Sequence, residues 1–215
     1  MPLVDSSEQP ATVPCIFRAL GLAGAGEPAA EPLQGGYDMA VSARCGATKD
    51  VAIATQAREE QMKQYWLMKS EPAEASVDDF LAAPAATIPW TGVRNYQARN
   101  FMRDHMRIDD GVLFYHSSCA EPGVVGVARV ASAPYPDPTQ FDPKSPYFDE
   151  ASMQDSPRWV LVDVQVLEKT RTLGLPEMRS VPELADMLVL RKGNRLSITP
   201  VDPKHWQLVT RLLHD

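Results

Sequence analysis

Cysteine is scarce in this 215-residue chain: there are three, Cys15, Cys45 and Cys119, with no CxxC and no Cys/His pairing at metal-ligand spacing. A scattered odd set of this kind indicates neither a disulfide framework nor a zinc site, and it fits a reducing compartment. No apolar run approaches the roughly 20 residues that a helix needs to cross a bilayer. The opening Met1-Pro2-Leu3-Val4-Asp5 has neither the basic segment nor the apolar core of a secretory signal. These absences lead to the expectation of a soluble, cytoplasmic protein with no metal, no cofactor and no membrane partner. GxSxG, the P-loop, GxGxxG after a strand and HExxH are missing as well. Positive charge is also in short supply, with 21 Lys and Arg against 28 Asp and Glu, net -7. Affinity for a phosphate backbone grows with the cations placed against it, so the whole-chain charge argues against a sequence-independent backbone binder. A pocket that reads one base is not excluded.

What is present is unevenly spread. Residues 1–61 contain two of the sixteen aromatics, Phe17 and Tyr37, and none of the four tryptophans, Trp66, Trp90, Trp159 and Trp206. They carry eight acids and four bases, while residues 62–215 carry twenty and seventeen. An Ala-, Gly- and Pro-rich stretch of this kind buries too little apolar surface to offset its ordering entropy. Residues 1–61 are therefore expected to be a disordered extension, with a short helix over 52–64 at its end. Met62 stands directly before the first dense apolar run and is an alternative translation start.

From Tyr65 the pattern changes. Residues 65–68 read as a strand stopped by Pro72. Ser76 with Asp79 resembles a capping box for a short helix through Val77, Phe80 and Leu81. Asn95 caps a helix expected over 96–106, on which Arg99, Arg103 and Arg107 fall in one stripe. Asp109-Asp110-Gly111 is a turn, and residues 112–116 form an apolar strand of the kind that is buried on both faces. Strands are expected over 123–132, 159–167 and 195–199, a capping box at Ser180 and Glu183, and a last helix after Asp202-Pro203. Between the first two of these strands runs a loop with five prolines plus Tyr135, Phe141, Tyr147 and Phe148. Its aromatics predict a loop packed down on the domain. Short strands around short helices indicate an α+β domain built on a curved sheet or small barrel.

Two clusters carry chemistry. In His116-Ser117-Ser118-Cys119 a base stands beside nucleophiles, yet neighbours on a strand point to opposite faces, so His116 and Ser117 are poor partners for one proton transfer. The alternative is a strand-end His satisfied by a backbone group. The denser cluster runs Trp90-Thr91-Gly92-Val93-Arg94-Asn95-Tyr96-Gln97-Ala98-Arg99-Asn100. Aromatic faces stack on a nucleobase, amide and backbone groups read its edge, and Gly lets backbone approach it. The competing reading makes Trp90 and Tyr96 core residues of a capped helix and the Arg stripe a solvated face.

Tyr65-Trp66-Leu67-Met68-Lys69-Ser70-Glu71-Pro72, Trp90 through Met102, Val112-Leu113-Phe114-Tyr115-His116-Ser117, Pro157-Arg158-Trp159 and Arg195-Leu196-Ser197-Ile198 closely resemble the EVE domain. The likeness runs from about Lys63 to the C-terminus. It implies a PUA-like mixed β-barrel with surrounding short helices, similar in fold to PUA, ASCH and YTH domains, preceded here by the extension. It further implies a cavity for a modified nucleobase such as a modified cytosine, in DNA or RNA, bound by a monomer without catalysis. On this resemblance Lys69, Ser70, Glu71, His116 and Ser117 converge on the cavity with Leu196 and Ser197 at its rim. Trp90 forms an aromatic wall, Gly92, Val93, Asn95 and Tyr96 belong to the same loop, and Arg94, Arg99 and Arg103 meet flanking phosphates. The acidic extension departs from eukaryotic members, whose extension is basic, and points to a bacterial member. A second reading is an ASCH-like hydrolase of modified nucleosides using Lys69, Glu71, His116 and Ser117. A third is a protein-interaction module centred on the aromatic loop at 134–148.

Overall fold

A computed structural model describes residues 63–215; the extension, Cys15, Cys45, Met62 and all but the last two residues of the expected 52–64 helix lie outside the described residues. Lys63 and Gln64 are irregular. The chain then enters strand β1 (Tyr65–Ser70). Short elements follow: helix α1 (Val77–Ala82), β2 (Thr87–Pro89), helix α2 (Tyr96–Asn100), β3 (Gly111–His116), β4 (Gly123–Val130), β5 (Tyr135–Pro136), β6 (Val160–Leu161) and β7 (Asp163–Gly174). Helix α3 (Leu175–Ser180), β8 (Ile198–Val201) and helix α4 (Pro203–Leu212) complete the domain.

Six strands form one mixed sheet in the order β2-β7-β4-β3-β1-β8, and β5 and β6 pair separately. β1 runs parallel to β3, from Tyr65 opposite Gly111 to Ser70 opposite His116, and antiparallel to β8. Because side chains alternate across a strand, each strand feeds two cores. Trp66 and Met68 of β1 join Val112 and Phe114 of β3 on one face, with α1, Trp90 and Val93 packed over them. Leu67, Leu113 and Tyr115 lie on the other face beneath Met178, Leu184, Val209 and Leu213. The continuous apolar run of β3 is thus explained by helices on both sides. β2 and β8 are the two edges and are not paired with each other, so the mixed barrel is open. β7 follows β4 closely, and the approach depends on Gly126: a Cβ there would lie 2.5 Å from the Glu168 carbonyl oxygen.

The α+β reading and three of its caps hold. Ser76 accepts from the Asp79 amide while the Asp79 carboxylate accepts from the Ser76 amide, Asn95 accepts from the Gln97 and Ala98 amides, and Asp202 accepts from the Lys204 amide. Four local expectations change. Residues 87–89, read as loop, pair as β2 with Asp163, Val164 and Gln165 of β7. The 96–106 helix is five α-helical residues followed by a π turn at Phe101–His105, closed by the Met106 N–H on the Phe101 carbonyl. The Ser180 box does not form, because Ser180 ends α3 and its hydroxyl donates back to the Glu177 carbonyl at 2.7 Å. The strand expected at 195–199 begins at Ile198, after a turn. The proline-rich loop is packed down as expected. Its anchor is the buried Gln140, whose amide donates to the Asp137 and Trp159 carbonyls and whose oxygen accepts from Ser152 Oγ and the amides of Arg158 and Trp159.

Candidate functional site

The parallel pairing of β1 with β3 brings Ser70 opposite His116, and antiparallel β8 brings Ser197 to the same end of the sheet, where its carbonyl accepts from the Lys69 N–H at 2.8 Å. Ser117 donates its amide to the Ser70 carbonyl at 2.8 Å. Lys69, Ser70, Glu71, His116, Ser117, Leu196 and Ser197 therefore do gather at one sheet end. Their side chains divide by face. Ser70 and His116 follow Met68 and Phe114, whereas Lys69, opposite Tyr115, follows Leu67 onto the other face. On the first face Ser70 Oγ donates to the Ala75 carbonyl at 2.5 Å, and His116 Nε2 accepts from the Val77 N–H at 3.1 Å. Both tie the start of α1 to the strand ends. Burial holds the His116 pKa below its ordinary value, in keeping with a neutral ring whose Nε2 is an acceptor. Glu71 accepts from Ser118 Oγ at 2.8 Å.

Trp90 reaches this group from the side. It is nearly buried, edge-on to Phe114 with ring centroids 5.4 Å apart and tilted against Phe80 at 5.8 Å. Its backbone N–H is fixed on the Val162 carbonyl. The loop then turns at Gly92, φ +81°, over which the Tyr147 ring lies so closely that a Cβ would sit 2.7 Å from it. The Tyr147 hydroxyl donates to the Glu74 carboxylate, 3.1 Å from either oxygen. Tyr147 thus bridges the Trp90 loop and the turn before α1. The Gly92 amide donates to buried Asp137 at 3.1 Å. By contrast, the Val93 amide and the Trp90 indole N–H donate to no acceptor among the described residues. The Asn95 side-chain oxygen is committed to the helix cap, and its Nδ2 is uncommitted among the described residues.

Beyond Tyr147 a ladder of rings and guanidinium groups continues. Arg94 lies 5.5 Å from the Tyr147 centroid and 5.4 Å from that of Trp159, Trp159 stacks on Tyr96 at 4.8 Å, and Arg99 sits 4.9 Å from Tyr96. Tyr96 is half-exposed, its hydroxyl bonded to Arg158, so it stands at the outer end of this ladder and not beside Ser70.

The arginine set needs correction. Arg94 points inward, with one nitrogen 2.8 Å from the Asp137 carboxylate and others on the Tyr147 carbonyl and Thr139 Oγ1. It is a structural strut and not a free phosphate ligand. Arg103 is exposed but already paired with Asp104 at 2.7 Å. Arg99 and Arg107 form no ion pair among the described residues: Arg99 donates to the Arg158 carbonyl and to Asn100 Oδ1, and Arg107 to the Met106 and Asp104 carbonyls. The π turn also breaks the i, i+4 register that aligned the stripe in sequence.

Chemically the site favours binding. A hydrolase would need a base aimed at a nucleophile; here His116 Nε2 is taken up by a backbone amide, Ser117 Oγ donates to the Ser70 carbonyl, and Lys69 lies on the opposite face. The described residues hold no cluster of three or more His, Cys, Asp or Glu suited to a metal.

This arrangement has known counterparts. The family model of the EVE domain matches residues 64–212. The chain belongs to the EVE domain family. It is 38% identical over 168 residues to human thymocyte nuclear protein 1, covering 70% of this chain and 74% of that one, and 39% identical over 165 residues to the chicken protein. Among solved structures, human THYN1 protein in complex with DNA containing 5-methylcytosine is similar with 38% identity and a TM-score of 0.67, covering 71% of this chain and 99% of that one. A protein from Pseudomonas putida is 44% identical with a TM-score of 0.66, covering 69% of this chain and 98% of that one. Sequence reading of this EVE domain missed Glu74, Asp137 and Tyr147. Tyr147 had a signal, an aromatic in a loop read as packed down, but nothing local told which loop it packs against.

Proposed function

We propose that this EVE domain is a non-enzymatic reader of a modified cytosine, presented in DNA by preference over RNA, and that it works as a monomer in the cytoplasm. The carrying observation is the pair of unspent donors, the Trp90 indole N–H and the Val93 amide, in a loop held in place through the Trp90 and Gly92 amides and the Arg94 guanidinium. Donors that no protein group accepts from are available to an acceptor-bearing ligand. A base edge supplies acceptors and a flat apolar ring to lie against aromatic side chains. Extruding it costs a few kcal/mol, offset in part by stacking at roughly 1–3 kcal/mol per base. The human relative crystallised with 5-methylcytosine DNA supports the choice of base and of DNA.

The test is titration of matched DNA and RNA oligonucleotides carrying cytosine, 5-methylcytosine or 5-hydroxymethylcytosine. Tighter binding of one modified DNA is expected, with discrimination reduced severalfold by Trp90→Phe, which keeps an aromatic face and deletes the indole donor. Equal affinity for all of the oligonucleotides defeats the proposal.

A further inference from the structure

With Arg94 and Arg103 committed to carboxylates, and Arg99 and Arg107 bonded to carbonyl and amide oxygens, a group of cations with no hydrogen-bond partner lies elsewhere. Residues 187–201 include Arg191, Lys192 and Arg195 and no Asp or Glu. All three side chains are exposed, and none forms an ion pair or hydrogen bond among the described residues. Arg129, Arg158, Lys169, Arg171 and Lys204, in contrast, each hold a carboxylate.

The turn that carries these cations is preformed. Asn194 Nδ2 donates to the Leu188 carbonyl at 2.6 Å, its oxygen accepts from the Leu196 N–H at 3.0 Å, and its own N–H donates to the Arg191 carbonyl at 3.2 Å. Gly193 takes φ +82° with open space around it. The far end of the turn is fixed to β1 through the Lys69 N–H on the Ser197 carbonyl. Two more cations stand on this face of the sheet end. Lys69 is half-buried with no partner for its ammonium, whose pKa burial lowers. Exposed Arg179 follows Met178 of α3, which packs in the same core as Tyr115, the cross-strand neighbour of Lys69. These five cations form no ion pair among the described residues, and a polyanion can supply the missing counter-charge.

We propose that the 191–195 turn, with Lys69 and Arg179 behind it, is the rim that grips the phosphates of the strand whose base enters the Trp90 site. This rests on the base-reading proposal and adds where the backbone must run: past the C-terminal ends of β1 and β3, and not along the α2 stripe. Phosphate contacts position the strand without reading sequence, so the rim contributes equally to modified and unmodified DNA.

Fluorescence anisotropy of the full chain with 5-methylcytosine and unmodified oligonucleotides, across a salt series, tests this. Each lost phosphate contact lowers the log-log salt slope by roughly 0.7–0.9, so Arg191→Ala/Lys192→Ala/Arg195→Ala is expected to reduce it by about 2. Affinity should fall by a common factor for both oligonucleotides, on the order of tenfold, with their ratio kept. Arg191→Lys/Arg195→Lys, which retains the charge, should keep the slope, and Arg103→Ala should barely change it. An unchanged slope in the triple variant, or a changed discrimination ratio, overturns the rim. An unchanged slope with loss of binding to phosphatidylserine vesicles assigns the cations to a membrane surface instead. If the unmutated protein shows no preference for the modified base, the base-reading proposal fails, and the rim fails with it as the grip on an extruded strand.

Discussion

Asp110 shows what a single residue holds in this domain. Its carboxylate is buried and accepts from Trp66 Nε1 at 3.0 Å, from the Gln64 amide at 3.0 Å and from the Arg107 amide at 2.9 Å. It therefore fastens the entry of β1, the end of the π turn and the Trp66 indole at one point. Asp110→Ala leaves buried donors without an acceptor and is expected to lower the unfolding free energy by about 3 kcal/mol in urea titration. Arg94 is the second residue of this kind. Removing it leaves the Asp137 carboxylate, 1% exposed, with only the Gly92 and Thr139 donors. Arg94→Ala should cost about 3 kcal/mol of stability, while the salt slope of DNA binding in the surviving folded protein stays near that of the parent. A slope reduced by a full phosphate would return Arg94 to the backbone contacts.

At the scale of elements, the site depends on short pieces held by caps. Helix α2 has five residues before its π turn, too few to persist alone, and Asn95 satisfies two of its free amides. Asn95→Ala is expected to cost about 1 kcal/mol, read as a lower urea midpoint, and it also loosens the helix that carries Tyr96 and Arg99. The Trp90 loop is held by Gly92, where φ +81° and the Tyr147 ring leave no room for a side chain. Gly92→Ala should displace Tyr147 from Glu74, which near-ultraviolet circular dichroism would detect, and weaken base discrimination more than global stability. The aromatic ladder from Tyr147 through Arg94 and Trp159 to Tyr96 joins this loop to α2. A shift at one end is therefore carried to the other by packed rings.

For the whole molecule, titration supplies a test with a definite sign. Burial lowers the His116 pKa, so its contribution is fully present above the unfolded value of about 6.5 and is lost as pH falls toward the folded value. Protonation forces Nε2 to give up the Val77 amide. Hydrogen bonds to Ser76 and Trp159 likewise hold the Asp79 and Asp149 carboxyls below their ordinary values, and their share is lost in more acid solution, below about pH 4. His214 acts the other way. Its raised pKa, due first to the Thr210 carbonyl and then to Glu168, adds stability that is present below about 6.5 and disappears as pH rises. The difference between the parent and His116→Gln across pH 5–8 isolates the His116 share, which should shrink with acid; a flat difference would remove His116 as the acceptor that holds α1.

Local information alone determined much of this protein. The β1 and β3 runs, the Ser76, Asn95 and Asp202 caps and the packing down of the proline-rich loop all follow from spacing and residue type, which act within a few residues. Motif order identified the family, and with it the Trp90 loop. Only the tertiary structure decided which groups are spent. Arg94 reads as a free cation until Asp137, far along the chain, is seen to hold it, and His116 reads as a base until the Val77 amide is placed on its ring. The Ser180 box failed because a preceding helix already claimed its hydroxyl. Lys69 and His116 look like neighbours in the site, yet strand alternation sends their side chains to opposite faces. Hydrogen-bond partners and sheet neighbours are set by contacts between segments far apart in sequence, and a residue's charge reaches a ligand only if no such contact has already neutralised it.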